Sequence, residues 1–89
     1  MKIKTKILGW LLQSSIHEPI VELGEQASLI DALRILFNQS VLDRIVKNNR
    51  ITNEVIILIN GVDANLLGGL NAPLKDGDGL TLIPVVHGG

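Results

Sequence analysis

The chain has 89 residues and no cysteine, so it forms one small domain without disulfides, zinc–thiolate sites or a cysteine nucleophile. Its formal net charge is −1 and it has only two aromatic residues, Trp10 and Phe37, which gives it no charge or stacking signature for binding nucleic acid. Its hydrophobic fraction of 46% is more than so small a domain can bury, which indicates an exposed apolar surface for another protein.

The N-terminal part of the chain predicts two strands. Residues 2–8 alternate in polarity, with Ile3 and Ile7 on one face and three lysines on the other, as a half-exposed strand does. Residues 19–23 are a second short strand candidate, since a proline at the first position of a strand loses little by lacking an N–H. Residues 10–15, between these two strands, show no clear pattern. The strands at 2–8 and 19–23 could form a hairpin with a long loop between them.

The middle of the chain predicts a helix. Ser28 is a suitable N-cap, and Asp31 is favourable near the positive end of the helix dipole. Apolar residues then recur at helical spacing and form one stripe: Leu29, Leu33, Leu36 and Phe37. The stripe continues to residue 46, either in the same helix or in a second helix that follows residues 38–40. The basic and turn-forming residues 47–50 end it.

The last part of the chain predicts two strands separated by a loop-rich stretch. Residues 54–60 have an unbroken apolar middle, which indicates a strand covered on both faces, and a turn follows at Asn60-Gly61. Residues 80–86 are the last strand, with sheet pairing ending at Pro84. This order of elements predicts an α+β fold in which one helix packs on one face of a mixed sheet. We hypothesise that the first and last strands lie side by side at the centre of that sheet.

No internal active site stands out in the sequence. Residues 61–69 are rich in glycine but lack the lysine of a phosphate-binding loop, and residues 76–79 lack most ligands of a calcium loop, so a turn is the better interpretation. His17 and His87 have no obvious third partner for a metal ion. We therefore predict that the chain holds no metal and no bound cofactor of its own.

Two other features have alternative explanations. Trp10 either anchors a partner protein or fills one edge of a small core. Gly68-Gly69 is either a hinge or, as we expect, a tight loop that needs the positive φ angles that glycine adopts at little cost.

The sequence ends on Gly88-Gly89 soon after the last strand. Because glycine has no Cβ, two glycines form the thinnest peptide that can enter a narrow channel. Fully extended, residues 85–89 would reach roughly 17 Å from the sheet. We expect these residues to form a flexible tail whose carboxylate, once activated as an acyl-adenylate, reacts with a sulfur or amine nucleophile. The alternative is an inert tail on a β-grasp adaptor.

Several segments together resemble the ubiquitin-like sulfur carriers, which include the molybdopterin synthase small subunit MoaD, the thiamine carrier ThiS and the ubiquitin-related modifier. The segments are the strand that ends at Asn60-Gly61, the turn at 73–78, the strand with Ile83-Pro84, the terminal Gly88-Gly89 and the helix at 28–37. The resemblance covers most of the chain.

This resemblance implies a single ubiquitin-like β-grasp domain over residues 1–89, with four to five strands in a mixed sheet and one main helix on one face. It implies that an E1-like adenylating enzyme of the MoeB/ThiF type uses ATP to charge the Gly89 carboxylate, and that sulfur transfer then leaves a thiocarboxylate. Because Gly88 has no side chain, it would let the tail fit a narrow channel in the partner. The apolar sheet face, Val85 and Val86 would dock the partners, and the chain would contain no catalytic site itself.

The branch of the family is the remaining question. Residues 38–53 are longer than the thiamine carriers need, which favours the MoaD branch; we thus predict the small subunit of molybdopterin synthase, acting in molybdenum cofactor biosynthesis. Its partner would be a MoaE-type large subunit, in a heterotetramer. His87 instead resembles the tail of the ubiquitin-related modifier, so tRNA thiolation or protein conjugation stays open as an alternative. His87 itself is either a spacer that fits the channel or a proton carrier.

The sequence also predicts where the chain resides. The longest apolar run, residues 55–59, is far too short to span a bilayer, and residues 1–10 lack the features of a signal peptide. We therefore expect a cytoplasmic protein that binds neither a membrane nor nucleic acid directly.

Overall fold

The computed structural model describes residues 1–86. The strands are β1 (Lys2–Ile7), β2 (Ile20–Glu22), β3 (Val46–Lys47), β4 (Arg50–Ile51), β5 (Val55–Ile59), β6 (Val62–Asp63) and β7 (Gly79–Pro84). The α-helices are α1 (Gly9–Gln13), α2 (Leu29–Leu36) and α3 (Gln39–Ile45), and two short 3₁₀ helices span Ala64–Leu66 and Gly69–Asn71. Within the described part of the chain, no helix has the length and apolarity needed to cross a membrane.

Five strands form one mixed sheet in the order β2-β1-β7-β5-β6. β1 pairs antiparallel with β2, which confirms the hairpin with a long loop, and residues 10–15 of that loop contribute to α1. β1 and β7 pair in parallel, with Thr5 beside Leu80, and β5 pairs antiparallel with the other edge of β7. The hypothesis that the first and last strands meet at the centre of the sheet is thus confirmed.

α2 is the main helix, and it begins and packs as its sequence predicts. The backbone N–H of Ser28 donates a 2.9 Å hydrogen bond to the Asp31 carboxylate, so the acid reaches back across the first turn. The core side of α2 is fully buried: Leu29, Ala32, Leu33 and Leu36. The residues that alternate on the covered face of the sheet share this core: Ile3, Ile57, Leu80 and Leu82.

The apolar stripe after α2 continues in a second helix, as the second of the two alternatives predicts. Phe37 is extended, which ends α2, and the Asn38 side chain accepts a 3.1 Å hydrogen bond from the Val41 N–H at the start of α3. Residues 47–50 form a tight hairpin between β3 and β4 rather than a simple end to the stripe. Its two turn residues, Asn48 and Asn49, have φ angles of +52° and +59°, which asparagine tolerates better than most residues.

The expectation that both faces of residues 54–60 are covered was wrong. Along β5 the side chains alternate: Val55, Ile57 and Ile59 are buried, whereas Ile56 is 42% exposed and Leu58 is only partly buried. The apolar run therefore serves two surfaces, one in the core and one on the face of the sheet that the core leaves open. Pairing of β7 ends at Pro84, as predicted.

We expect Leu33→Ala to destabilise the fold by about 2–5 kcal/mol, because it removes a fully buried side chain and leaves a cavity. Ile35→Ala on the same helix is the matched control, since Ile35 is 43% exposed and its truncation should cost less than about 1 kcal/mol. Urea unfolding of both variants measures the difference. Equal losses would contradict the placement of the helix.

Candidate functional site at the root of the C-terminal tail

The last strand holds the start of the tail in the middle of the sheet. Pro84 is the last residue of β7 and lies opposite Val55. The Val85 N–H then donates a 2.9 Å hydrogen bond to the Glu54 carbonyl, and Val86 is 90% exposed. The chain therefore leaves the sheet between Val85 and Val86. We call residues 84–86 the tail root.

Three of the predicted site residues, His87, Gly88 and Gly89, lie outside the described residues, so their roles stay predictions. Of the other two, Val85 is partly buried at the tail root and Val86 is exposed to solvent. Val86 is thus accessible to a partner, whereas Val85 is held by the sheet.

Helix α1 approaches the tail root very closely. Gly9, its first residue, has a φ of +58°, and a Cβ built on it would lie 2.7 Å from the Cγ atom of Pro84. Real Cβ atoms essentially never come so close to another heavy atom. Both the backbone angle and the space therefore require glycine here.

A series of side-chain contacts joins α1 to Glu54, the residue that precedes β5 and holds Val85. The Arg44 guanidinium lies over the Trp10 ring, 4.2 Å from its centroid, in a cation–π contact. Its Nη2 atom is 3.4 Å from Oε1 of Glu54, the residue whose carbonyl holds Val85. Trp10 also packs against the edge of the core, as one of its two proposed roles requires.

No pattern in the sequence predicted that Gly9, Arg44 and Glu54 belong to this site. They come from three separate segments, and only the chain path brings them to one place. The single signal in the sequence is the glycine inside the otherwise apolar stretch at 7–12.

The open face of the sheet carries the exposed apolar surface that the composition predicts. Cross-strand pairing places Ile56 beside Ile83 and Leu58 beside Thr81, and none of these four residues is buried. We call Ile56, Leu58 and Ile83 the open-face patch. Along β1 the same face carries exposed lysines, since Lys6 pairs with Thr81 in the next strand. The patch is therefore apolar with a basic border.

Residues 76–79 form the predicted turn into the last strand, and the structure shows that this turn also links β1 to β7. The Asp76 carboxylate accepts a 2.7 Å hydrogen bond from the Lys2 N–H, and the Asp78 carboxylate accepts one of the same length from the Lys75 N–H. Asp78 also accepts a 2.8 Å hydrogen bond from the Asn60 side chain. These carboxylates thus accept hydrogen bonds from backbone N–H groups and from a neighbouring side-chain amide.

Gly68 and Gly69 have φ angles of +114° and +65°, which confirms the tight loop expected there. Within residues 1–86 no charged or polar side chain is buried, and no three metal-ligating side chains form a group.

The mixed sheet, the helix on one of its faces and the tail that leaves its central strand define a ubiquitin-like protein with the β-grasp fold. The chain belongs to the Urm1 (Ubiquitin related modifier) family, whose family model matches residues 5–89. This confirms the resemblance to the ubiquitin-like sulfur carriers.

Solved structures agree with this assignment. The small archaeal modifier protein 1 from Methanosarcina acetivorans is 28% identical with a TM-score of 0.64, over 99% of this chain and 96% of that one. A chain of the Amycolatopsis orientalis BexX/CysO complex is 27% identical with a TM-score of 0.71, over 98% and 99%. Urm1 from Sulfolobus solfataricus is 26% identical with a TM-score of 0.62, over 96% and 100%. No curated protein matches the sequence.

Proposed function

We propose that this protein carries sulfur as a thiocarboxylate on Gly89. The observation that carries this proposal is the position of the tail root. The central strand of the sheet ends at Pro84, and two residues later Val86 is 90% exposed. The start of the tail is therefore accessible to a partner enzyme. The family match, which extends to residue 89, supports the same function.

The proposed reaction has two steps. The Gly89 carboxylate attacks the α-phosphorus of ATP and displaces pyrophosphate, which gives an acyl-adenylate. A sulfide nucleophile then attacks the acyl carbon and displaces AMP, which leaves the thiocarboxylate. The partner enzyme binds ATP and supplies the catalytic residues, while Gly88 gives clearance and the sheet holds the tail root.

The open-face patch is the proposed docking surface for the E1-like adenylating enzyme. Ile56 on β5 lies beside Ile83 on β7, and β7 continues into the tail root. Docking on these residues would therefore bring the tail to the partner. The lysines along β1 would attract carboxylates at the border of the partner surface. We propose that Val86, exposed beyond the sheet, contacts the same partner.

Two sulfur acceptors are proposed. In the first, the chain is the small subunit of molybdopterin synthase and passes sulfur to a pterin precursor held by a MoaE-type large subunit in a heterotetramer. The length of residues 38–53, which form α3 and the β3–β4 hairpin, supports this acceptor. In the second, the chain acts in tRNA thiolation or protein conjugation, which the match to the ubiquitin-related modifier family supports.

We expect ATP, sulfide and the adenylating enzyme of the same host to replace one oxygen of the chain by sulfur. Intact mass spectrometry measures the mass difference between the two atoms. A variant that lacks Gly89 should fold normally and stay at its original mass. An unchanged wild-type mass, with an enzyme that charges an established carrier in parallel, would overturn the proposed function.

The thiocarboxylated chain then separates the two acceptors. With a MoaE-type subunit and its pterin precursor, we expect the terminal sulfur to be lost and the original mass to return. Loss of sulfur only when tRNA and a thiolating enzyme are present, or adducts on lysines of other proteins, would favour the second acceptor instead.

We expect Ile56→Lys to weaken docking of the adenylating enzyme, since it puts a charge in the centre of the apolar patch. The KM for the chain should rise about tenfold or more, as at an interface hot spot. Val62→Lys is the matched control, because Val62 is also 42% exposed but pairs with Ile59 on the other face of the sheet. Steady-state kinetics of pyrophosphate release measure both, and equal changes would move the docking surface elsewhere.

A further inference from the structure

We propose that a closed ring of contacts around the tail root fixes the direction in which the chain leaves the sheet, which makes Gly9 and Arg44 positioning residues for the activation of the C-terminal carboxylate. The inference rests on the proposed function. The ring runs from Pro84 through Gly9, Trp10, Arg44 and Glu54 and returns to the chain at Val85.

The first side of the ring is the contact of α1 with Pro84. The Gly9 backbone fills the space beside the proline ring so closely that a Cβ would lie 2.7 Å from its Cγ atom. One residue earlier, the Leu8 N–H donates a 3.0 Å hydrogen bond to the Leu82 carbonyl. Strand β1 and helix α1 therefore hold the end of β7 from one edge.

The second side of the ring holds the tail root from the other edge of β7. The carbonyl of Glu54 accepts the Val85 N–H at 2.9 Å, and the carboxylate of the same residue lies 3.4 Å from the Arg44 guanidinium. Arg44 in turn stacks on Trp10, which follows Gly9 in α1. The residue that holds Val85 is thereby linked to the residue that contacts Pro84.

A fixed root matters because the reacting carboxylate belongs to Gly89, three residues beyond Val86. If residues 86–89 were fully extended, the arm would be roughly 14 Å long, and a rotation of roughly 20° at the root would displace its end by roughly 5 Å. Once the open-face patch is docked, the root determines where the carboxylate enters the partner. Misplacement of a reacting group by about 1 Å can cost about 100-fold in rate. The ring therefore acts on the chemical step and not on docking.

The test uses Gly9→Ala in the full-length chain, because the added Cβ pushes Pro84 aside. The matched control is Gly69→Ala, whose φ of +65° imposes a similar backbone strain, while a Cβ there would meet nothing within 4 Å. The double variant Gly9→Ala/Pro84→Ala is the rescue. It removes the Cγ and Cδ atoms and leaves only a Cβ position at 3.9 Å.

Two readouts are measured: amide hydrogen exchange at Val85, and the kcat and KM for pyrophosphate release by the adenylating enzyme with the chain as substrate. For Gly9→Ala we expect about tenfold faster exchange at Val85 and about tenfold lower kcat, with KM within about twofold. Gly69→Ala should match the wild type, and the double variant should recover most of the kcat.

A second variant decides the question if Gly9→Ala does not fold. Arg44→Gln keeps part of the side-chain stem but removes the charge that faces Trp10 and Glu54. We expect it to lower kcat about threefold to tenfold without raising KM. Arg50→Gln, at an exposed arginine on β4, is its control and should have no effect.

The outcomes separate this inference from the proposed function. A wild-type chain that is charged, together with an unchanged kcat for Gly9→Ala or Arg44→Gln, would overturn the ring and leave the carrier function intact. A loss that appears in KM instead would make these residues part of the docking surface and would also overturn it. A wild-type chain that is never charged would overturn the carrier function, and the inference with it.

Discussion

The parallel pairing of β1 with β7 is the constraint on which the rest of this structure depends. It joins the two ends of the described chain at the centre of the main sheet, so the other three strands of that sheet, β2, β5 and β6, lie outside them. With β5 on its other edge, β7 has its backbone groups paired on both sides, and Leu80 and Leu82 of that strand are almost fully buried. A strand held in this way opens only with the whole fold. The tail therefore follows the strand that has hydrogen-bonded neighbours on both edges and side chains buried in the core.

The second constraint is size. A chain of 89 residues can build one layer of helices on a five-stranded sheet but lacks the material to cover both faces. The uncovered face keeps Ile56, Leu58 and Ile83 accessible beside the strand that ends in the tail root. The exposed apolar surface and the start of the tail therefore lie beside each other. The contacts around Pro84 and Val85 hold the point at which the chain leaves the sheet.

Much of the fold and part of the candidate site could be predicted from the sequence. The alternation in residues 2–8, the stripe that begins at Leu29 and the turn at Asn60-Gly61 are local patterns, and each produced the predicted element. The five-residue run at 55–59 misled the prediction because an apolar strand with one open face has the same composition as a strand covered on both faces. Periodicity reports the conformation of a segment, not what lies against it.

The sequence by itself determined the main strands, the helical stripe and the family, because these follow from local periodicity, turn chemistry and the motifs at 73–78 and 83–84. Only the tertiary structure decided which face of the sheet stays open and which residues surround the tail root. Gly9, Arg44 and Glu54 are 10 to 45 positions apart along the chain. Contacts over such distances in sequence depend on the packing of whole elements, and no local pattern encodes them.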